Sequence, residues 1–466
     1  MTTTPRKPRP RTGPLTNGPQ HIRSEGPAAR WRIGWVVASS LAAGLLAALL
    51  LVVAPFISPG ESEITGALLC GFAVGWGLLA FLSVRFTDQP QRWPVAPALF
   101  MGVPGLLLVV FGTPVDVVLG WVWPPALLVL VIWMFLRARR QLRSRSRRWL
   151  IYPVLTVVAL ASIGGAYQRL GAAADAKAFP MPGQLVDVGG YRLHLHCMGE
   201  GSPTVVLEPG AGEMSSNHAL LSQALSTQTR VCAYDRAGRG WSEPANTVQD
   251  GTHIAADLHT LLHNANVPGP YVLAGHSFGG LYVETFAANY PDEVAGMGLI
   301  DATNRASTPT TRQAGAQGGY DIVNRTTALI SILGRVGVAR LYAPLEDINS
   351  LPPQARDEVR ANISAPGNLR STVDEYIRAN ASMEEAAALQ HFSSKPLVVL
   401  TAGIGNDSRH EASQNELAKL STNSLHKTID SASHEAFIIS PDAAAITTQA
   451  IQDVVTAVRT GASLSR

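Results

Sequence analysis

The amino-acid sequence predicts an α/β fold: a mostly parallel sheet with helices on both faces, preceded by an all-α bundle of about five transmembrane helices. Three observations predict it. Long uncharged apolar runs fill the first third of the chain. Beyond about residue 182, short strand-like runs alternate with helical patterns, the signature of a parallel sheet covered on both faces. Within that second part, the stretch "YVLAGHSFGGLYVETFAANYP" sets a serine between glycines where an apolar run gives way to a helix.

With 466 residues the chain exceeds one ordinary domain. Only 15% of residues are charged and the mean hydropathy is +0.13, both unusual for a wholly soluble protein. The apolarity is concentrated in five runs: 33–57, 64–84, 95–113, 117–136 and 149–168. Each approaches or exceeds the roughly 20 residues that cross a hydrocarbon core. The first is too long, and its leader too extended, for a cleavable signal peptide. Basic residues gather before the first run (Arg6 to Arg32), after the second (Arg85, Arg92) and after the fourth, in "RARRQLRSRSRR". The other two connections carry Glu61, Glu63 and Asp116 and no basic residue. The positive-inside rule then predicts a multi-pass protein of the cell membrane. Its amino terminus is expected in the cytoplasm and everything after about Arg169 outside. The paired third and fourth runs can also be read as a re-entrant hairpin, leaving three crossings and the same outward face.

The expected organisation is a disordered basic cytoplasmic arm (1–32), the transmembrane helical region (33–169) and an Ala-, Gly- and Pro-rich linker (170–182). The first part of the core (183–301), a helical insertion (302–394) and the second part of the core (395–466) follow. Within the core, "YRLHLHCMG" alternates as a half-buried strand does. "PTVVLEPGAG", "TRVCAYDRAGRGWS" and "PYVLAGHSFGG" are continuous apolar runs ending in turn residues, as suits strands buried on both faces. "VAGMGLID", "KPLVVLTAG" and "LHKTID" complete the set of runs read directly from the residues.

G-x-S-x-G between a buried strand and a helix makes a turn so tight that its flanking positions must be tiny, here Gly275 and Gly279. The turn lifts the hydroxyl of Ser277 off the sheet at a helix amino terminus. A serine hydroxyl needs a base to attack anything. Of twelve histidines, His434 in "DSASHEAF" is best placed, in a loop past the last strand. The acid that orients it is expected to be Asp301, at the end of "GLID", with Asp407 in "TAGIGND" as the alternative. Backbone N–H donors for an oxyanion are expected from Phe278, next to the serine, and from Ala211 in "EPGAGE".

These residues resemble the α/β-hydrolase superfamily, in its lid-bearing esterase, lipase and haloperoxidase-like branch. The resemblance spans roughly 182–460 and includes "LEPGAG" where the family has an HG-x turn, "YDRAGRGWS", "GHSFGG", "LIDA" and the late "SH". It implies the α/β-hydrolase fold with strand order 1-2-4-3-5-6-7-8, and a lid formed by the insertion. That order puts Cys197 beside Cys232, either bonded in an oxidising compartment or left as two buried thiols.

The expected function is a membrane-anchored serine hydrolase acting on a lipid or small-molecule carboxylic ester through Ser277, His434 and an aspartate. Amidase, aminopeptidase or thioesterase chemistry on the same residues is the alternative, as is a membrane sensor or transporter with a ligand-binding domain of this fold. No cofactor is expected, and three cysteines without Cys/His spacing suggest no metal site. The expected partners are the substrate and membrane lipid. The basic clusters flank apolar runs, so nucleic acid is not expected.

Overall fold

A computed structural model describes residues 32–141, 150–245, 247–305 and 317–464. Most of the basic arm, the basic connection 142–149 and the insertion segment 306–316 lie outside the described residues. The described chain opens with α1 (Ile33–Val52), α2 (Glu61–Phe86), α3 (Val95–Phe111), α4 (Thr113–Gln141) and α5 (Tyr152–Ala178). All but α3 are long and apolar enough to cross a membrane. At 17 residues, α3 reaches about 26 Å against a hydrocarbon core of about 30 Å. Glycines let α1 and α2 pack backbone on backbone. A Cβ on Gly71 would sit 2.2 Å from the Ala48 Cα, and one on Gly75 would sit 2.9 Å from the Gly44 Cα. The stretch expected to be a linker from residue 170 is instead helical as far as Ala178. "GAAADAKA" is rich in alanine, the strongest helix former, so α5 continues past its apolar part.

The rest of the chain builds one sheet. In chain order come β1 (Gln184–Asp187), β2 (Arg192–Met198), β3 (Thr204–Glu208), α6 (Ala219–Leu225), β4 (Val231–Tyr234), α7 (Gly251–Asn264), β5 (Tyr271–His276), α8 (Phe278–Asn289) and β6 (Val294–Ile300). The insertion supplies α9 (Gln317–Arg335), α10 (Val338–Tyr342), α11 (Pro353–Ile363) and α12 (Pro366–Ala386). Pro353 and Pro366 each open a helix, where the missing N–H costs nothing. The chain closes with β7 (Leu397–Ala402), α13 (Ser408–Ala418), β8 (Ser424–Ile429), α14 (Ala436–Ile439) and α15 (Pro441–Thr460).

The strands order as β1-β2-β4-β3-β5-β6-β7-β8, with β2 antiparallel to both of its neighbours, β1 and β4, and every other pairing parallel. β1, "QLVD", is too short for its alternation to show in the sequence and was not among the runs read from it. β3, β5 and β7 are buried along their whole length. On one face α7, α8 and α13 cover them through Leu258, Leu261, Phe286 and Leu417. On the other, α6 and α15 do so through Leu221, Leu225, Ile451 and Val454. Their carboxyl ends converge on one edge, where chemistry in parallel sheets is sited.

Cys197 and Cys232 face each other across β2 and β4 and form a disulfide. The bridge closes a loop of 35 residues, worth about 4 kcal/mol in the chain-entropy account. Dithiothreitol, or Cys232→Ala, is expected to lower the unfolding midpoint of the detergent-solubilised chain accordingly. An unchanged midpoint would show that the bridge contributes nothing.

Candidate active site

Ser277 follows β5 directly and stands at the N-cap of α8 with φ 53° and ψ −123°, a conformation that L-residues avoid. Such strain costs about 1–3 kcal/mol and persists only where the surroundings over-determine it. Here they do. Its N–H bonds to Ile300 O, and its carbonyl accepts from Gly280 N and Thr303 N. The turn also forces backbone against backbone. A Cβ on Gly275 would lie 2.4 Å from Gly279 O, and one on Gly279 would lie 2.3 Å from Glu208 O.

Asp301 directly follows β6 and is 1% exposed. Its Oδ2 lies 2.5 Å from His434 Nδ1. Its Oδ1 accepts from Ala402 N at 2.9 Å and meets His410 Nε2 at 2.8 Å. Asn406 Nδ2 adds a longer bond at 3.2 Å. Burial opposes the charge, yet the bonds from His410, His434 and Ala402 hold the carboxyl well below the usual carboxylate range. Asp407 has a different place. It is the N-cap of α13, accepting from Arg409 N and His410 N, and its side chain is exposed. The structure therefore brings Asp301, and not Asp407, to His434.

Ser277 and His434 line one cavity of about 540 Å³, together with Ala211. Ile330, Leu333 and Tyr342 of the insertion and Leu369 and Tyr376 of α12 are among the side chains of its apolar wall. Phe278 opens α8, so its backbone N–H belongs to the helix amino terminus, and its ring packs 5.3 Å from Tyr376.

The turn that carries Ala211 is held from beneath by charge. Arg236 donates to Pro209 O and Gly210 O, each at 2.5 Å. It pairs on its other sides with Glu208 and with Glu375 of α12. Burial pushes Glu208 up to about 7 against the pull of Arg236. Arg239 joins the cluster through Glu375 and Gly210 O.

Sequence reading assigned no role to Glu213 and left His276 to the turn. Glu213 Oε2 accepts from Gly210 N at 2.5 Å, and Oε1 meets His276 Nδ1 at 2.8 Å. His276 Nε2 lies 3.0 Å from the backbone carbonyl of His434. Both ring nitrogens thus face acceptors, which an imidazole satisfies only with two protons. Burial works against that charge, but Glu213 and the His434 carbonyl raise the His276 pKa. Burial likewise opposes the charge of Glu213, which His276 and His218 nonetheless hold well below its ordinary range. The neighbouring His218 is driven the other way by burial, and its Nδ1 has no partner, as a neutral ring allows. One carboxylate and one imidazolium therefore join the Gly210 turn, the residue before Ser277 and the loop of His434. No spacing motif marks this pair in the sequence, because Glu213 and His276 lie 63 positions apart.

No cluster of three or more His, Cys, Asp or Glu residues able to hold a metal occurs among the described residues.

A protein of Schizosaccharomyces pombe is 27% identical over 301 residues, covering 56% of this chain and 54% of its own length. A vacuolar membrane protein of Saccharomyces cerevisiae is 27% identical over 130 residues, covering 24% of this chain and 20% of its own. The chain thus spans about half, or less, of these relatives. An esterase structure from Thermogutta terrifontis is similar over 59% of this chain and 99% of that one, with 22% identity and a TM-score of 0.46. The family described as alpha/beta hydrolase fold matches residues 203–441, about half of the chain and most of the sheet, from β3 through the His434 loop. The chain belongs to the alpha/beta hydrolase fold family.

Proposed function

We propose that this chain is a membrane-anchored serine hydrolase that cleaves carboxylic esters. The observation that carries the reading is the buried Asp301 carboxylate on His434 Nδ1, with His434 facing the same cavity as the strained Ser277. In the proposed reaction Ser277 Oγ attacks the ester carbonyl carbon while its proton passes to His434 Nε2. The oxyanion is met by the N–H groups of Phe278 and Ala211, each such donor contributing about 3 kcal/mol. The tetrahedral intermediate collapses, the C–O bond breaks, and the leaving alcohol takes the proton from His434. A water molecule then gives a proton to His434 and attacks the acyl-enzyme, releasing the acid and restoring Ser277. Asp301 stays ionised throughout and fixes the ring.

The insertion, whose side chains roof the cavity, acts in this reading as a lid. The apolar helices anchor the protein, and α3, at the lower limit of spanning length, makes the fifth crossing that puts the sheet on the extracytoplasmic side. The arrangement of basic residues supports that orientation, and so does the Cys197–Cys232 disulfide, which an oxidising compartment preserves. Amides and thioesters present the same carbonyl to the same residues, and paired assays with each separate these substrates. A pure ligand-binding role predicts no covalent labelling of Ser277 by fluorophosphonate.

Ser277→Ala is expected to abolish hydrolysis of p-nitrophenyl esters, and Asp301→Asn to lower kcat about 10⁴-fold. Asp407→Asn should leave kcat/KM within about twofold, because Asn caps a helix nearly as well. Equal losses from both aspartate variants would refute the assignment.

Glu213→Gln removes the charge that keeps His276 protonated. Charge-assisted hydrogen bonds contribute about 1.5–3 kcal/mol, so kcat should fall about 10- to 100-fold with little change in KM. Since the His276 pKa is raised, the stabilisation it gives is complete below the ordinary histidine range and lost as pH rises through the folded value. For Glu213, whose pKa is lowered, it is present above the ordinary range and lost as pH falls through the folded value. The groups around the ring are Glu213, His218, His434 and Asp301. Without the carboxylate, the alkaline limb of the kcat profile should move to lower pH. An unmoved limb would show that His276 is a packing residue only.

A further inference from the structure

The insertion sits directly on the ends of the membrane helices. Arg325 donates to Val52 O and Ile57 O, just after α1. Arg335 pairs with Glu61 of α2 and Asp116 of α4, and Arg340 pairs with Asp175 of α5. Between α9 and α10 the chain bends by 59° at Gly337, which has φ +78°. There it meets α5 backbone to backbone: a Cβ on Gly164 would lie 2.1 Å from Val336 O.

Two cavities lie on opposite sides of this bend. Ile330 and Leu333 of α9 face the Ser277 cavity. Ile332, Arg335 and Val336 face a second cavity of about 430 Å³, within the roughly 300–1,000 Å³ of ligand sites. Its far wall is Leu69, Leu108, Trp123, Leu127 and Ala161 of the membrane helices, and its polar end is the Glu61–Asp116–Arg335 cluster. From Glu61 to Leu69 it runs about 12 Å along α2 at 1.5 Å per residue, so it descends into the apolar part of the bundle.

The surface next to the bend is apolar as well. Among the described residues after Ala178, ten large hydrophobic side chains are exposed, and five lie between Leu333 and Leu345. They are Leu333, Val338, Leu341, Tyr342 and Leu345. Exposed apolar surface concentrated in this way marks contact with another phase or partner. Here the neighbouring elements are helices of bilayer-spanning length.

Resting on the serine-hydrolase reading, we propose that the second cavity is a substrate subsite for the hydrocarbon chain of a membrane-resident long-chain ester. The chain lies in this cavity and the scissile carbonyl at Ser277, on the other face of α9, so the substrate leaves the bilayer sideways without crossing water.

The test uses the full chain in phosphatidylcholine vesicles and a long-chain alkyl fluorophosphonate with a diazirine at the chain end. After Ser277 is labelled, illumination is expected to cross-link the chain end to α2, α3, α4 or α5. Cross-links confined to residues that line only the Ser277 cavity, such as Ile330, Tyr342 and Tyr376, or to bulk lipid, would overturn the subsite. In a second arm, Gly165→Leu fills the cavity where a Cβ finds only ordinary contacts, the nearest atom being Pro124 Cγ at 3.6 Å. Hydrolysis of a long-chain monoacylglycerol should fall at least tenfold while p-nitrophenyl acetate turnover stays within twofold. Unchanged turnover of the long-chain ester, or equal loss on both substrates with Ser277 still labelled by a short fluorophosphonate, would overturn the proposal alone. A wild-type chain that takes no fluorophosphonate on Ser277 would overturn the hydrolase reading and this proposal together.

Discussion

A carboxylate with almost no access to water is tolerable only if donors replace the water it has lost. Asp301 meets this condition through Ala402 N, His410, Asn406 and His434, which come from β7, α13, the loop between them and the loop after β8. The requirement fixes more than one side chain. It ties the ends of two strands to a helix and orients the imidazole of His434, which shares a cavity with Ser277. Removing the charge would leave four donors unanswered, so this site and the carboxyl edge of the sheet stand or fall together.

The same logic operates beneath the Pro209–Gly212 turn, with more members. Arg236 and Arg239 lie buried against Glu208, Glu375 and the turn's own carbonyls, and Glu213 takes the Gly210 N–H. A buried ion cluster of this kind gives little net stability over apolar packing, but breaking one partner strands a charge at a cost of about 3–5 kcal/mol. Its consequence is geometric. Glu375 belongs to α12, so the helix roofing the cavity and the turn lining its floor share one set of charges. His276 extends the connection to the His434 backbone. Motion of the insertion and alignment of the floor are therefore not independent.

The α1–α5 bundle is held to the sheet region through polar pairs at the ends of apolar helices. Arg335 sits between Glu61 and Asp116, where helix ends leave the apolar zone and charges can be solvated or paired. Backbone contact at Gly164 and Gly337 brings the bend close enough for these pairs to form. The insertion thus belongs mechanically to both halves of the chain.

The alternation of strand runs and helices, the glycines around Ser277, the late His434 and the apolar runs were all legible in the sequence. Each reflects local sterics, or a periodicity that one segment must satisfy by itself. The four residues of β1 and the helical course of 170–178 were not legible, because a short edge strand needs its neighbour β2 to define it and alanine-rich helix shares its composition with linkers. The choice between Asp301 and Asp407 also lay beyond the sequence. Both follow a strand in chain order, and only the folded chain shows one buried against His434 and the other capping a helix in water. The pairings of Glu213 with His276 and of Arg236 with Glu375 join residues 63 and 139 positions apart. The sequence by itself determined which segments become strands, helices and the serine turn, because those choices are made by neighbours along the chain. Tertiary structure alone decided which charges meet, because burial sets the cost of leaving any of them unpaired, and burial exists only once distant segments have packed.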